Sequence, residues 1–250
     1  MQLVGYEPSG ATPSILISDG DGIRRHPLEP GDELAYTVGN RHCAGAVDGD
    51  VHYACANDGV PYCDLHASAW VCARCTGTCL KDEMDCYEDH AVYLAAFAPD
   101  TFKVGVTKSW RLETRLREQG ADEGAHVHTV SNGRIARELE AELARDPVDR
   151  VRTQSKLDSL AADVDESAWE ALLADHDVLG RFAFDYGLDL ERRPVPETIA
   201  SGTVVGVKGR ILVLERGGTN YAVDLRDLVG YELEVGDSSR SLQSSLGSFG

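Results

Sequence analysis

The sequence predicts an α+β protein: a Cys/His-rich module ahead of a small β-β-α-β-α core, with β segments at both ends and a helical connector after the core. Three observations predict it. Seven cysteines and His66 fall between residues 43 and 86. An apolar strand pattern opens at His90 and is followed by a second strand and a helix. Short alternating runs broken by Gly, Pro and Asp occupy the stretches near both ends. The expected segments are an N-terminal β segment (1–42), the Cys/His module (43–89), the core (90–146), the connector (147–198), C-terminal β hairpins (199–236) and a flexible Ser/Gly-rich tail (237–250).

In the N-terminal segment, Gln2-Leu-Val-Gly-Tyr6, Ser14-Ile-Leu-Ile17 and Glu33-Leu-Ala-Tyr-Thr-Val38 read as strands. Asp19-Gly-Asp-Gly22 reads as a turn, because the later carboxylates of a calcium loop are missing. Near the other end, Arg210–Glu215 and Thr219–Leu225 flank Gly217-Gly218, which predicts a hairpin. The two terminal β segments are expected to share one sheet or barrel. Helical spacing covers 134–145 and about 153–178, where Leu157, Leu160 and Val164 are followed by Trp169, Leu172 and Leu173.

The chain has 250 residues, enough for one or two domains with their own cores. It carries 42 acidic against 24 basic side chains, a formal charge of −18, and only five of the basic residues are Lys. Such an excess keeps a surface hydrated where salt is abundant and predicts a halophilic protein. Concentrated salt also screens phosphate attraction to short range, so net acidity does not exclude a nucleic-acid partner. Neither a signal-peptide pattern nor a membrane-length apolar run is visible, so no membrane is expected and a cytoplasmic location is.

In a reducing compartment a dense cysteine cluster points to metal. The candidate ligands are Cys43, Cys55, Cys63, His66, Cys72, Cys75, Cys79 and Cys86, eight in all, enough for one or two tetrahedral Zn²⁺ sites. Two-residue gaps let a tight knuckle aim paired ligands at one ion. The first expected site is therefore Cys63, His66, Cys72 and Cys75. Cys43, Cys55, Cys79 and Cys86 would form the second, and an interleaved partition is equally open. Thiolate dominance favours closed structural sites over a catalytic zinc or a Cys72/Cys75 redox pair.

From His90 the order is strand (Val92–Phe97), Pro-Asp turn, strand (Phe102–Val106), a helix that Ser109 would cap and Gly120 would end, strand (Ala125–Val130), and helix (Arg134–Arg145). His126 and His128 are expected to share one face of the third strand. This β-β-α-β-α order, with Tyr93 in the first strand and Val104-Gly105 and Thr107 in the second, resembles the GIY-YIG endonuclease core. The whole chain looks like a member of an uncharacterised domain-of-unknown-function family that joins a cysteine-rich module to such a core.

The resemblance implies a divalent-metal-dependent endonuclease acting on nucleic-acid phosphodiesters. Tyr93 would take the tyrosine position, Arg115 the arginine (with Arg111 one turn earlier on the same face), and Glu140 the carboxylate that holds catalytic Mg²⁺ or Mn²⁺. Lys103 stands where the second motif carries tyrosine and would meet phosphate as a point charge. Residues 103–117 hold five basic side chains (Lys103, Lys108, Arg111, Arg115, Arg117) against Glu113 alone, with Trp110 beside them. That local positive patch predicts a DNA or RNA partner. The alternative expectation is a zinc-stabilised nucleic-acid-binding or protein-interaction protein whose core no longer turns over.

Overall fold

The computed structural model of the protein describes residues 1–10, 12–20, 22–67, 87–144 and 153–236. Cys72, Cys75, Cys79, Cys86 and the tail 237–250 lie outside the described residues. The chain divides into two compact units, one of residues 1–68 and 186–250 and the other of 69–185. The architecture is mixed α+β and strand-rich.

The first unit is built on a nine-stranded sheet. Its N-terminal strands are β1 (Gln2–Glu7), β2 (Ser14–Ser18), β3 (Ile23–Pro27) and β4 (Glu33–Arg41). The cysteine module adds the short hairpin β5 (Ala46–Asp48) and β6 (Val51–Tyr53), which forms its own two-stranded sheet. Before further elements of this sheet, the chain passes through the second unit.

The second unit contains β7 (His90–Phe97), β8 (Thr101–Lys108), α1 (Leu112–Gln119), β9 (Glu123–Val130), α2 (Gly133–Leu143), α3 (Thr153–Asp158), α4 (Glu166–Leu173) and β10 (Gly180–Ala183). The chain then returns to the first sheet with β11 (Val195–Pro196), β12 (Ala200–Lys208), β13 (Ile211–Arg216), β14 (Thr219–Asp224), the helical turn α5 (Leu225–Leu228) and β15 (Tyr231–Val235). The order in that sheet is β11-β14-β13-β12-β4-β15-β1-β2-β3.

The terminal segments therefore do share one sheet, through β4 against β12 and through β15 against both β4 and β1. Its inward positions meet in one cluster that takes Leu3, Ile15 and Ile17 from one end of the chain and Leu212, Leu214 and Val223 from the other. Asp19, Gly20 and Gly22 fall between β2 and β3, with Ser18 opposite Ile23. Gly217 and Gly218 close the expected β13–β14 hairpin.

In the second unit the sheet order is β10-β9-β7-β8, all antiparallel. β7 is central, and all eight of its residues are buried. Val92, Leu94 and Ala96 meet Ala136 of α2 and Trp169 and Leu173 of α4 on one face. Ala91, Tyr93, Ala95 and Phe97 meet Leu112 and Leu116 of α1 on the other. An unbroken apolar run is what a strand covered on both faces requires, and β7 supplies it with small residues at Ala91, Ala95 and Ala96.

Three local expectations change. Ser109 does not cap α1: the helix enters through a 3₁₀ turn, Ser109–Arg111, without a side-chain cap. At α2 the cap is Asn132, its side chain accepting from the Ile135 amide. The stretch 147–198 is not purely helical, because β10 pairs with β9 and widens the core sheet to four strands. A register shift at Val92/Tyr93 sets His126 opposite Tyr93 but His128 opposite Val92, so strict alternation no longer places both histidines on one face.

Trp169, stacked on Phe102 with ring centroids 5.5 Å apart, is the largest fully buried side chain of the α4 face. Trp169→Ala is expected to lower unfolding free energy by about 3–5 kcal/mol in chemical denaturation. Trp110→Ala, at a residue 73% exposed, is expected to change it by less than about 0.5 kcal/mol. Comparable losses from the two would contradict this packing.

Candidate functional site

The module after β4 folds back through the β5–β6 hairpin, and this brings Cys43, Cys55, Cys63 and His66 together. Their ligand atoms all lie within 4.8 Å of one another. Cys63 Sγ is 3.2 Å from His66 Nδ1 and 3.9 Å from Cys55 Sγ, while Cys43 Sγ is 3.5 Å from His66 Nδ1. Four atoms bound tetrahedrally at Zn–S ≈ 2.3 Å would sit about 3.8 Å apart, whereas a disulfide needs about 2.05 Å. The donor set and spacing fit zinc.

Among the described residues this grouping departs from the first expected site and agrees with an interleaved partition. Cys63 and His66 are completed by Cys43 and Cys55, because the hairpin returns the chain to its starting point beside the Cys63–His66 knuckle. The close approach depends on Gly45, at φ 68°, where a Cβ would lie 2.0 Å from the Tyr53 carbonyl oxygen. Backbone amides of Gly45 and Cys63 donate to Cys43 Sγ at 3.4 and 3.2 Å, and Asn57 Nδ2 donates to Cys63 Sγ at 3.5 Å. Such donors hold thiolates in place around a metal.

The Asn57 donor brings the Cys63 thiol down to about 6, with burial opposing and His66 and Cys43 assisting. At Cys55 an Asn57 backbone hydrogen bond lowers the value, but burial and the neighbouring Cys43 and Cys63 thiols outweigh it and raise the thiol. Asn57 was not anticipated from the sequence, since an asparagine in a loop carries no distinctive spacing.

In the second unit, Tyr93 on β7 is 1% exposed. Its ring lies across Gly105, its partner on β8, where a Cβ would come within 2.5 Å of the phenol. Its hydroxyl accepts a 2.6 Å hydrogen bond from Gln119 Nε2 at the end of α1. Burial pushes the phenol above its ordinary value. Arg115 and the Gln119 hydrogen bond pull it back, and the Glu140 carboxylate pushes it up. The charges of Arg115 and Glu140 thus both act on the Tyr93 hydroxyl.

Arg115 also donates to Glu118 at 3.1 Å, and Glu140 accepts from Arg137 at 2.5 Å. Arg111 donates to the other Glu118 oxygen at 2.9 Å and lies over the Trp110 ring, 5.9 Å from its centroid. Lys103 sits opposite Ala95 on β8, on the Tyr93 side of the sheet by register. Glu88 accepts from Lys108 Nζ at 2.9 Å and from Trp110 Nε1 at 3.1 Å, and these two donors hold its carboxyl below the usual range.

The basic patch of residues 103–117 is therefore threaded with carboxylates, Glu88, Glu113 and Glu118, that the sequence count undervalued. Arg117 pairs with Glu113 at 3.1 Å and lies 4.7 Å from the Phe184 ring centroid. Gln119 was also missed, although its i, i+4 spacing from Arg115 puts the two on one helix face.

Protein purified without chelator is expected to carry at least one zinc per chain. Cys63→Ser is expected to lower the thermal midpoint by about 5–10 °C, a loss of roughly 2–3 kcal/mol for a chain of this size. Metal analysis and a melting curve check both. An unchanged midpoint would remove zinc from the account of the fold.

No curated protein and no solved structure matches the chain. No described helix is long and apolar enough to cross a membrane. One family model matches residues 31–183, from just before β4 to the end of β10, and so takes in the Cys₃His cluster and the whole four-stranded core sheet. The chain belongs to that family, DUF2797, whose members are described as proteins of unknown function.

Proposed function

We propose that the second unit carries a divalent-metal-dependent, endonuclease-like site acting on nucleic-acid phosphodiesters, with Tyr93, Arg115 and Glu140 as its catalytic group and Lys103 as a phosphate contact. What supports this reading is the buried Tyr93 hydroxyl, hydrogen-bonded by Gln119 on α1, the helix that also carries Arg115, with the opposite charges of Arg115 and Glu140 shifting that phenol in opposite directions. These residues come from β7, α1 and α2, and no local periodicity selects them. The order β-β-α-β-α from β7 to α2 supports the likeness to a GIY-YIG core.

The residue chemistry suits the reaction. Glu140 offers a hard carboxylate of the kind that holds Mg²⁺ or Mn²⁺ alongside water and substrate phosphate, and such a cation polarises a phosphate when bound. Arg115 would neutralise charge that develops on the phosphoryl oxygens. Burial keeps Tyr93 protonated, which favours orienting the attacking water over deprotonating it. The zinc module would brace the protein, and the acid excess suits work in concentrated salt.

One observation favours the second reading, a zinc-stabilised nucleic-acid-binding protein without turnover. Tyr93 is almost wholly buried, and Arg115 and Glu140 are each already in an ion pair. Catalysis would require those pairs to exchange for substrate.

Wild type and Glu140→Gln are compared on single-stranded, duplex and branched DNA and RNA with Mg²⁺ or Mn²⁺ in high KCl. Cleavage by wild type and a loss of about 100-fold or more in the variant, with melting unchanged, is the expected outcome. Equal cleavage by both would move the site elsewhere. Binding without cleavage by either would establish the second reading.

A further inference from the structure

We infer that Gln119 is the positioning residue of the tyrosine site: its side-chain amide fixes the Tyr93 hydroxyl over Gly105 and can serve it as either donor or acceptor. The inference rests on the reading of Tyr93 as a reacting-site residue. Gln119 itself would touch neither substrate nor metal.

Three contacts from three elements meet here. The Gln119 amide reaches the hydroxyl at 2.6 Å. Gly105 leaves no room beneath the ring for any larger residue, so the phenol cannot retreat toward β8. Lys156 on α3 donates to the Gln119 backbone carbonyl oxygen at 2.5 Å, and its ammonium lies 4.4 Å from the Phe97 ring centroid. Phe97 shares the Tyr93 face of β7. A cation at the C-terminal end of α1 also suits the helix dipole. Lys156 thus fastens the end of α1, and with it Gln119, against the strand that carries Tyr93.

The chemistry of the amide gives the arrangement a specific use. Gln119 Oε1 is buried and has no hydrogen-bond partner among the described residues. A primary amide presents a donor and an acceptor related by a half-turn, so the same side chain can accept from a phenol or donate to it. A tyrosine that orients water must present its proton in one direction and its lone pair in another. Gln119 can follow either arrangement, which neither a carboxylate nor an ammonium at that place can do.

The test uses the full-length zinc-loaded chain with [¹³Cζ]-tyrosine, comparing wild type, Gln119→Met and Gln119→Glu. Met keeps the length and helix propensity of Gln but neither hydrogen-bonding group, and Glu keeps only the acceptor. In Gln119→Met the Tyr93 ¹³Cζ resonance is expected to shift and its hydroxyl proton to exchange about tenfold faster, as the loss of one hydrogen bond predicts, with the thermal midpoint essentially unchanged. In Gln119→Glu the resonance is expected to shift differently, with the hydroxyl proton still protected.

If wild type cleaves nucleic acid, Gln119→Met is expected to lower kcat about tenfold and leave KM alone. A moved Tyr93 signal without cleavage in wild type would keep the positioning role and reject the nuclease. A Tyr93 signal and exchange rate unchanged in Gln119→Met would overturn the inference whatever the activity.

Discussion

Every residue of β7 from His90 to Phe97 is buried, so the second unit has to be assembled on both faces of a single strand. Even positions belong to the α2/α4 face and odd positions to the α1 face. Because the side-chain period is two, a slip of one residue would exchange the two sets and drive Tyr93 into the Trp169 cluster. The hairpin to β8 locks the register by setting Tyr93 against Gly105, the one residue type whose lack of a side chain leaves room for the ring. The position of the phenol is thus a consequence of folding the strand at all, and the groups around it are arranged to suit that position.

The first unit obeys a different constraint. Its core draws on strands from both ends of the chain, so the second unit is an insertion between β4 and β12, which pair directly. The Cys₃His cluster lies on the path out of that sheet, just beyond β4. Ala44, between Cys43 and Gly45, is wholly buried in the same core, and Tyr62, next to Cys63, packs against it. A metal bound there would tie the exit of the chain to the sheet it leaves, a sound reason to place thiolates at Cys43 and Cys63 rather than in the hairpin tip.

Much of this was legible in the sequence. The unbroken apolar run of β7, the Gly217-Gly218 hairpin and the cysteine spacing each state a local rule strongly enough to survive folding. What stayed hidden depended on distance. The ligand partition followed from the return of the β5–β6 hairpin, and tight Cys-x-x-Cys spacing gives no information about a loop that brings Cys43 back to Cys63. β10 is a short edge strand with alternate residues facing out, too weak a pattern to distinguish from the helical stretch before it. Ser109 is a good capping residue by type, yet the chain turns through a 3₁₀ segment and leaves its hydroxyl buried. The glutamates that pair with the basic patch lie on the same helix or just before β7, and a count of charges could not show that they reach it.

The central claim, that Tyr93, Arg115 and Glu140 form one metal-dependent site, is most directly tested by adding Mn²⁺ to zinc-loaded protein and following the [¹³Cζ]-tyrosine resonances. A paramagnetic ion held by Glu140 broadens the Tyr93 signal, and Glu140→Gln abolishes that broadening. A Tyr93 signal that stays sharp while others broaden would place the divalent metal elsewhere and contradict the account.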